Sequence, residues 1–343
     1  MVIIICGGAG FIGTNLVEVL LERESDQLIV IDRLSYASHP SAVTFLKSLD
    51  GVEFHIRDIG DRDFIHSMLR QTRPDVLINL AAETHVDNCI RAPDIFIENN
   101  VNSTFRLLQE CLRYWHECAV PDQKSFRFLH ISTDEVYGSI AEGEEPASEG
   151  SAYRPTNPYS ATKAAADHMI SAFQNTYGFP ANILYFTNNY GPYQHSEKLI
   201  PKTVESAIAG QPIPIYGDGS QKRTWINVKD SCAAVLRVIE KGNSGSHYNF
   251  GGLDEFRNLD LVTQICTILD KLRPLRGTQT YQSLITFVED RPGHDSRYAI
   301  NSGRAMGELD WTPRIPFRSG LFEAVEWYLE QHTMGLNVRQ IDK

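Results

Sequence analysis

The junction at residues 2–13 constrains this chain more than any other stretch. Val2-Ile3-Ile4-Ile5 is a β-branched run short enough for a fully buried strand, and it leads through Cys6 into Gly7-Gly8-Ala9-Gly10-Phe11-Ile12-Gly13. Leu16, Val17, Val19, Leu20 and Leu21 then carry a helical apolar face. Strand, glycine turn and helix in succession are the context a dinucleotide fingerprint requires. The glycines fit two registers, Gly8, Gly10, Gly13 as G-x-G-x-x-G and Gly7, Gly10, Gly13 as G-x-x-G-x-x-G. Either lets the backbone approach a pyrophosphate on the helix N-terminus, although a lone glycine cluster can equally be a tight structural turn. The next apolar run, Leu28 to Ile31, ends in Asp32. A carboxylate there accepts hydrogen bonds from a ribose and repels a 2′-phosphate, which predicts NAD rather than NADP. Arg33 beside it is a contrary signal.

The strand–helix alternation continues. Val52 to Ile56, ending near Asp58, and Val76 to Leu80, running into Ala81-Ala82, read as strands, with Phe64 to Leu69 helical between them. Ile95 to Tyr114 reads as a long helix, Phe126 to Ile131 as a strand, residues 138–158 as a loop, Tyr159 to Tyr177 as a helix and Ala181 to Phe186 as a strand. This order predicts an α/β fold with a doubly wound parallel sheet of Rossmann type. After about residue 187 Pro and Gly become frequent and elements shorten. We expect residues 1–187 to bind NAD and carry the catalytic residues. Residues 188–334 are expected to form a smaller C-terminal α/β substrate domain, with some elements returning to the main sheet and Ser319 to Gln331 as a closing helix. Residues 335–343 read as a polar tail.

Apolar residues make up 42% of the chain and charged residues 22%, the profile of a globular protein with ample core. The net charge of -11 argues against nucleic acid or an anionic membrane as partner. The six cysteines form no C-x-x-C pair and read as reduced core residues of a cytoplasmic protein. No metal-binding spacing occurs among the eleven histidines, so no metal is expected. The opening has no basic segment of a signal peptide, and no apolar run reaches the ~18 residues of a membrane span.

Two motifs carry chemistry. Ser132-Thr133-Asp134-Glu135-Val136-Tyr137-Gly138 places adjacent carboxylates at the mouth of an apolar strand. Like charges side by side push one pKa upward, giving an acid and a base at one pH, whereas in isolation an Asp-Glu pair is more often a solvated turn. Tyr159-Ser160-Ala161-Thr162-Lys163 places a phenol and an ammonium at i and i+4 on one helix face, where Lys⁺ is expected to lower the phenol pKa and ready Tyr159 as a base. Y-x-x-x-K alone is common by chance. With Thr133 at an upstream strand end and a nucleotide fold before it, the signal becomes specific.

Here the chain resembles the extended short-chain dehydrogenase/reductase superfamily and, within it, the dTDP-glucose 4,6-dehydratase family. The resemblance runs nearly the whole length, through the glycine turn, Leu80-Ala81-Ala82-Glu83-Thr84-His85-Val86-Asp87, Ser132 to Gly138, Pro158 to Lys163, Asn188-Asn189-Tyr190-Gly191-Pro192-Tyr193, Glu197-Lys198-Leu199-Ile200-Pro201 and Asp290-Arg291-Pro292-Gly293-His294-Asp295. It implies that Tyr159, assisted by Lys163 and Thr133, deprotonates the glucose C4 hydroxyl as NAD is reduced. It further implies that Glu135 removes the C5 proton, that Asp134 protonates the departing C6 hydroxyl, and that NAD is regenerated. The NAD contacts it implies are Gly7, Gly10, Phe11, Ile12, Gly13, Asp32, Arg33, Leu34, Ser35, Asp58, Ile59, Leu80, Ala81, Ala82, Asn99, Tyr159, Lys163 and Asn189. The nucleotide-sugar contacts are Thr84, Thr133, Asn188, Glu197, Lys198, Leu199, Pro214, Tyr216, Arg223, Asn258, Arg291, His294 and Tyr298, with Arg223 and Arg291 suited to a diphosphate and Tyr216 to a pyrimidine. A homodimer pairing through the helices at 95–114 and 159–177, and a place in deoxysugar formation such as dTDP-rhamnose, are implied likewise.

The chain departs from that pattern at Cys6, Thr224 and Ser231, the latter two expected to alter the diphosphate region. His85 reads as structural. A nucleotide-sugar 4-epimerase shares the cofactor and the Tyr/Lys pair but needs no C5 base or C6 acid. A UDP-glucose 4,6-dehydratase, a UDP-glucuronate decarboxylase and a silent NAD-sensing scaffold are the remaining alternatives.

Overall fold

A computed structural model describes residues 1–23, 25–118 and 125–334. The first half alternates β1 (Val2–Cys6), α1 (Phe11–Leu21), β2 (Gln27–Asp32), α2 (Pro40–Ser48), β3 (Val52–Ile56), α3 (Arg62–Thr72) and β4 (Val76–Asn79). Then come α4 (Val86–Arg91), α5 (Pro93–Phe96), a π-helical turn (Ile97–Ser103), α6 (Thr104–Glu117), β5 (Arg127–Thr133), a 3-10 turn (Asp134–Tyr137), α7 (Pro158–Tyr177) and β6 (Ala181–Phe186). After β7 (Asn188–Tyr190), α8 (Leu199–Ile208), β8 (Ile213–Tyr216), β9 (Lys222–Asn227) and α9 (Val228–Lys241), the chain returns to the main sheet as β10 (His247–Phe250).

Seven parallel strands form that sheet in the order β10-β6-β5-β4-β1-β2-β3, the doubly wound architecture expected. The β1 run is apolar throughout because both faces are covered. Ile3 and Ile5 belong to the core beneath α1 and α9, and Ile4 and Cys6 to the core beneath α3, α6 and α7. Strand order reverses between β1 and β4, so the crevice at their carboxyl ends is the place for a ligand.

The long helix expected at 95–114 is helical, but the π turn interrupts it. Asn100 is buried there, its Oδ1 accepting from Glu83 N at 2.8 Å and its Nδ2 donating to Glu83 O and Thr162 Oγ1, each at 3.0 Å. The widened turn thus serves the loop after β4 and α7 at once, a frequent use of π-bulges beside functional sites.

A second layer stands over the carboxyl edge. In it β9 pairs parallel to β7 and antiparallel to β11 (Glu255–Arg257), and β8 pairs with β12 (Ile285–Val288). Its core joins α8, α10 (Asn258–Leu272) and α11 (Phe317–Thr333). The 335–343 tail lies outside the described residues. No helix among the described residues is long and apolar enough to cross a membrane.

The glycine turn leaves no room at Gly13, where a Cβ would meet Gly7 O and lie 2.6 Å from Gly8 Cα. We expect Gly13→Ala to cost about 1–3 kcal/mol of stability by overpacking. Urea unfolding checks this, and an unchanged midpoint would refute it.

Candidate active site

At the nucleotide end the site is shaped by backbone. Gly7 adopts φ +78° and donates its N–H to Ile31 O at 2.8 Å, tying the turn to β2. A Cβ on Gly7 would meet Ala81 N at 2.6 Å, so β1 and the loop after β4 approach only because none is there. The buried Asp32 accepts from Ala9 N at 3.0 Å and Leu34 N at 2.8 Å. Burial raises its pKa, and those two hydrogen bonds oppose the rise. Arg33 reaches across the opening to Glu83, Asn99 and Asp58. Engaged by these acceptors, it is not left free for a 2′-phosphate. The glycine cradle, the helix N-terminus and Asp32 together suit a dinucleotide without that phosphate.

Gly7, Gly10, Asp32, Arg33, Ser35, Asp58, Ile59, Leu80, Ala81, Ala82 and Asn99 line this end. The cleft continues past Phe11, Ile12 and Gly13 to Tyr159 and Lys163. Two expected cofactor contacts do not line it. Leu34 packs its side chain against the core, and Asn189 is held by Ser231 Oγ at 2.5 Å and Thr187 O at 3.0 Å. The departure at Ser231 therefore bears on Asn189 rather than on the diphosphate region.

The catalytic candidates converge where β5 ends. Thr133 Oγ1 accepts from Glu135 N at 3.3 Å, which fixes the 3-10 turn, and lies 3.3 Å from Asp134 Oδ1. Its hydroxyl also acts to lower the pKa of the Tyr159 phenol. Asp134 is 3% exposed, and one oxygen of each carboxylate, Asp134 Oδ2 and Glu135 Oε2, is buried with no hydrogen-bond partner. Burial first, and the neighbouring Glu135 second, push Asp134 up to about 8, against opposing pulls from Arg223 and Thr133. At neutral pH Asp134 holds a proton.

One expectation about this group is corrected. The Tyr159 phenol is raised rather than lowered, by burial first and then by Glu135 and Asp134. Lys163 does not offset this, because its Nζ is turned to Ile131 O at 2.8 Å and lies 3.3 Å from His130 Nε2. The i, i+4 spacing places the two side chains on one face but leaves the direction of the ammonium to β5.

Beyond Glu135 the cleft widens into a cavity of about 390 Å³. Thr84, Asn188, Glu197, Lys198, Leu199, Pro214, Tyr216, Arg223, Asn258, Arg291 and His294 line it. Thr84, Glu197 and Lys198 also line the cofactor side, so the two spaces are continuous. Tyr298 is not a wall. It is 2% exposed, its ring lies 4.2 Å beneath the Arg223 guanidinium and its hydroxyl donates to Asp295 Oδ2 at 2.6 Å. Arg223 is otherwise fixed by Lys222 O and Asp295 O, and it presents positive charge to Asp134 and Glu135 from a buried position.

Sequence reasoning missed Asp87, Trp225 and the role of His85 as a wall. Asp87 Oδ2 accepts from Tyr216 OH at 2.9 Å, and its Oδ1 lies 3.8 Å from Arg291. His85 caps α4 by accepting from Asn88 N at 3.3 Å. Both stand inside the Leu80–Asp87 string, which was the available signal. Among the described residues no cluster of His, Cys, Asp or Glu could hold a metal ion.

Residues 4–324 match the family described as GDP-mannose 4,6 dehydratase. The dTDP-glucose 4,6-dehydratase of Haemophilus influenzae is 43% identical over 331 residues, which span 96% of this chain and 98% of that protein. This chain belongs to the dTDP-glucose 4,6-dehydratase family. The Neisseria gonorrhoeae enzyme of the same name is 42% identical over 98% of this chain and 97% of its own. The crystal structure of a Streptomyces venezuelae dTDP-glucose 4,6-dehydratase with NAD and TYD bound is similar with a TM-score of 0.87 and 36% identity, over 98% of this chain and 100% of that one. A Thermus thermophilus UDP-glucose 4-epimerase in complex with NAD reaches 0.82 at 25% identity, over 96% of this chain and 99% of that one. Fold alone does not separate elimination from epimerisation, so the side chains must.

The raised Asp134 pKa has a consequence for stability. The fold accommodates the protonated acid, so stability is lost as pH rises from the unfolded value near 4 toward about 8. Asp134→Asn removes that loss. Its melting temperature should exceed that of the unsubstituted protein at about pH 8.5 and differ little at about pH 4.5. An equal difference at both would refute the assignment.

Proposed function

We propose that this chain is an NAD-dependent dTDP-glucose 4,6-dehydratase, a hydro-lyase that forms dTDP-4-keto-6-deoxyglucose and water. The observation that carries it is the buried Asp134 with the half-buried Glu135 next to it, beside Tyr159, because an epimerase has no use for a second acid and base. The glycine turn would hold the pyrophosphate of NAD, Asp32 a ribose, and Tyr159 and Lys163 its reactive end. Bound NAD supplies a two-electron store, drawn from C4 and returned at C6, so turnover needs no outside oxidant.

Tyr159, in the minor ionised form its raised pKa leaves, takes the proton of the C4 hydroxyl. The resulting ketone acidifies C5, and Glu135 removes that proton. Asp134 delivers its proton to the C6 hydroxyl, which leaves as water, and Glu135 returns a proton to C5. Tyr159 then holds one proton more than at the start and Asp134 one fewer. Thr133, hydrogen-bonded to Asp134 and acting on the phenol of Tyr159, offers the path that restores them. Arg223, Arg291 and Lys198 would face the diphosphate, and Tyr216 the base.

The test is incubation of the purified protein with dTDP-glucose and separately with UDP-glucose, followed by NMR of the sugar. A 4-keto-6-deoxy product from dTDP-glucose without added NADH supports the reading. A galactose-configured product, no turnover, or preference for UDP-glucose sinks it. Glu135→Gln should block loss of the C5 proton while sparing C4 oxidation, so enzyme-bound NADH absorbance accumulates. Normal dehydration by that variant would remove Glu135 from the mechanism.

We further propose a cytoplasmic homodimer serving deoxysugar formation of the dTDP-rhamnose kind. Five buried free cysteines support a reducing compartment. Ile90, Ile95, Ile97 and Tyr177, exposed along α4–α6 and α7, support pairing through that face. Sedimentation should give twice the chain mass and, for Ile95→Glu/Ile97→Glu, the mass of one chain. A monomeric unsubstituted protein would refute it.

A further inference from the structure

One turn beyond Lys163, on the same face of α7, stands a carboxyl group with no role so far. Asp167 is 0% exposed and lies behind the wall of the cleft rather than in it. Its Oδ2 accepts from Ser132 Oγ at 2.6 Å, and its Oδ1, with no hydrogen-bond partner, lies 3.5 Å from His130 Nε2. Lys163 Nζ lies 3.3 Å from the same ring nitrogen. The ring is oriented from its other side, where Asn79 Nδ2 stands 3.2 Å from His130 Nδ1 while Asn79 Oδ1 accepts from Ala81 N. Asn79 thus donates to Nδ1, and the ring turns Nε2 toward both Lys163 Nζ and Asp167 Oδ1.

A buried ammonium without a counter-charge sheds its proton, and a buried carboxylate without one picks a proton up. We propose that Asp167 is a positioning residue of the active site, the buried counter-ion that keeps Lys163 charged behind Tyr159. This rests on the reading of Tyr159 and Lys163 given above. The charge keeps an ammonium at the wall of the cofactor cleft. Burial lowers Lys163 to about 8 with Asp167 opposing, and raises Asp167 to about 7 with Lys163 and Ser132 opposing.

The other titratable groups facing the pair are His130 on β5, Tyr153 in the loop before α7, Tyr185 on β6, Tyr137 in the 3-10 turn and Tyr159 on α7 itself. Burial holds the imidazole neutral by lowering its pKa and holds the four phenols neutral by raising theirs. Between neutral and mildly alkaline pH the pair alone in this group changes charge, and Lys163 is charged on the acid side of its own transition. Asp134, beyond Tyr159 and pushed up to about 8, also titrates in this window, so the reading is the displacement of the limb when Asp167 is substituted.

The test is the pH profile of kcat/KM in Asp167→Asn, which keeps the shape and removes the charge. Lys163 then loses its proton earlier, so the alkaline limb should move down by about one pH unit, with about a tenfold loss above the limb and little loss below it. Asp167→Glu should restore the limb. Should Asp167→Asn fail to fold by circular dichroism, Ser132→Ala carries the test: without that hydrogen bond Asp167 protonates more readily, and the limb moves the same way by less. An unmoved limb, or a loss equal at every pH, in whichever variant folds overturns the inference. Lys163→Met separates the two readings. If it turns over normally, the role of Tyr159 and Lys163 itself fails; if it is inactive while the limb of Asp167→Asn stays put, this inference alone fails.

Discussion

A carboxyl group kept dry beside another carboxylate is the condition to which the rest of this structure answers. Water would stabilise both charges of Asp134 and Glu135; the end of β5 withholds it, so one of the two keeps a proton. The arrangement survives because its surroundings limit the imbalance. Arg223 brings a guanidinium close enough to act on both carboxylates, and Thr133 shares its hydroxyl with Asp134. Arg223 is itself buried and cannot stand alone, so Tyr298 lies under it and Asp295 O and Lys222 O accept from it. Asp295 Oδ2 is in turn held by Thr156 and Tyr298.

This chain of support explains the second layer. A parallel sheet presents its strand ends at one edge, and that edge supplies Gly7, Asp32, Thr133 and the approach to Tyr159, but no cation facing Asp134. β9 and the segment through residues 291–298 bring it from above. The division of labour is spatial rather than sequential, since residues 228–250 lie with the main sheet, α9 against α1 and β10 beside β6.

What the sequence disclosed follows from how local each signal is. The glycine turn, Asp32 and the first strands were legible because strand, turn and helix are neighbours in the chain. Asp134 and Glu135 were legible as a pair for the same reason, although which of them holds the proton depends first on burial that only the fold sets. The π turn at Asn100 was not legible, because its cause is a clamp on Glu83 and Thr162. Tyr298 was placed on the substrate when it lies under Arg223, and the ammonium of Lys163 was given to Tyr159 when β5 claims it. His130 passed as one more residue in an apolar strand, and Asp167 as one more polar residue on a helix. Each gains its meaning from a partner brought near only by the fold.

Asp134 in the site and Asp167 behind its wall stand in opposite relations to positive charge, and that difference separates them. Asp134 is raised mainly by burial and a like charge, with Arg223 opposing only in part, so it stores a proton that can be given away. Asp167 is raised by burial but faces Lys163 as its first opposing influence, so near neutrality it stands close to the boundary where it becomes a counter-ion. Tyr159 lies between them and feels both as repulsion when its proton leaves. A base flanked by acids works only if a cation is held nearby and a hydroxyl offers the proton a way out. Thr133 is the group that lowers the cost of ionising Tyr159, while the ammonium of Lys163 is held by Ile131 O.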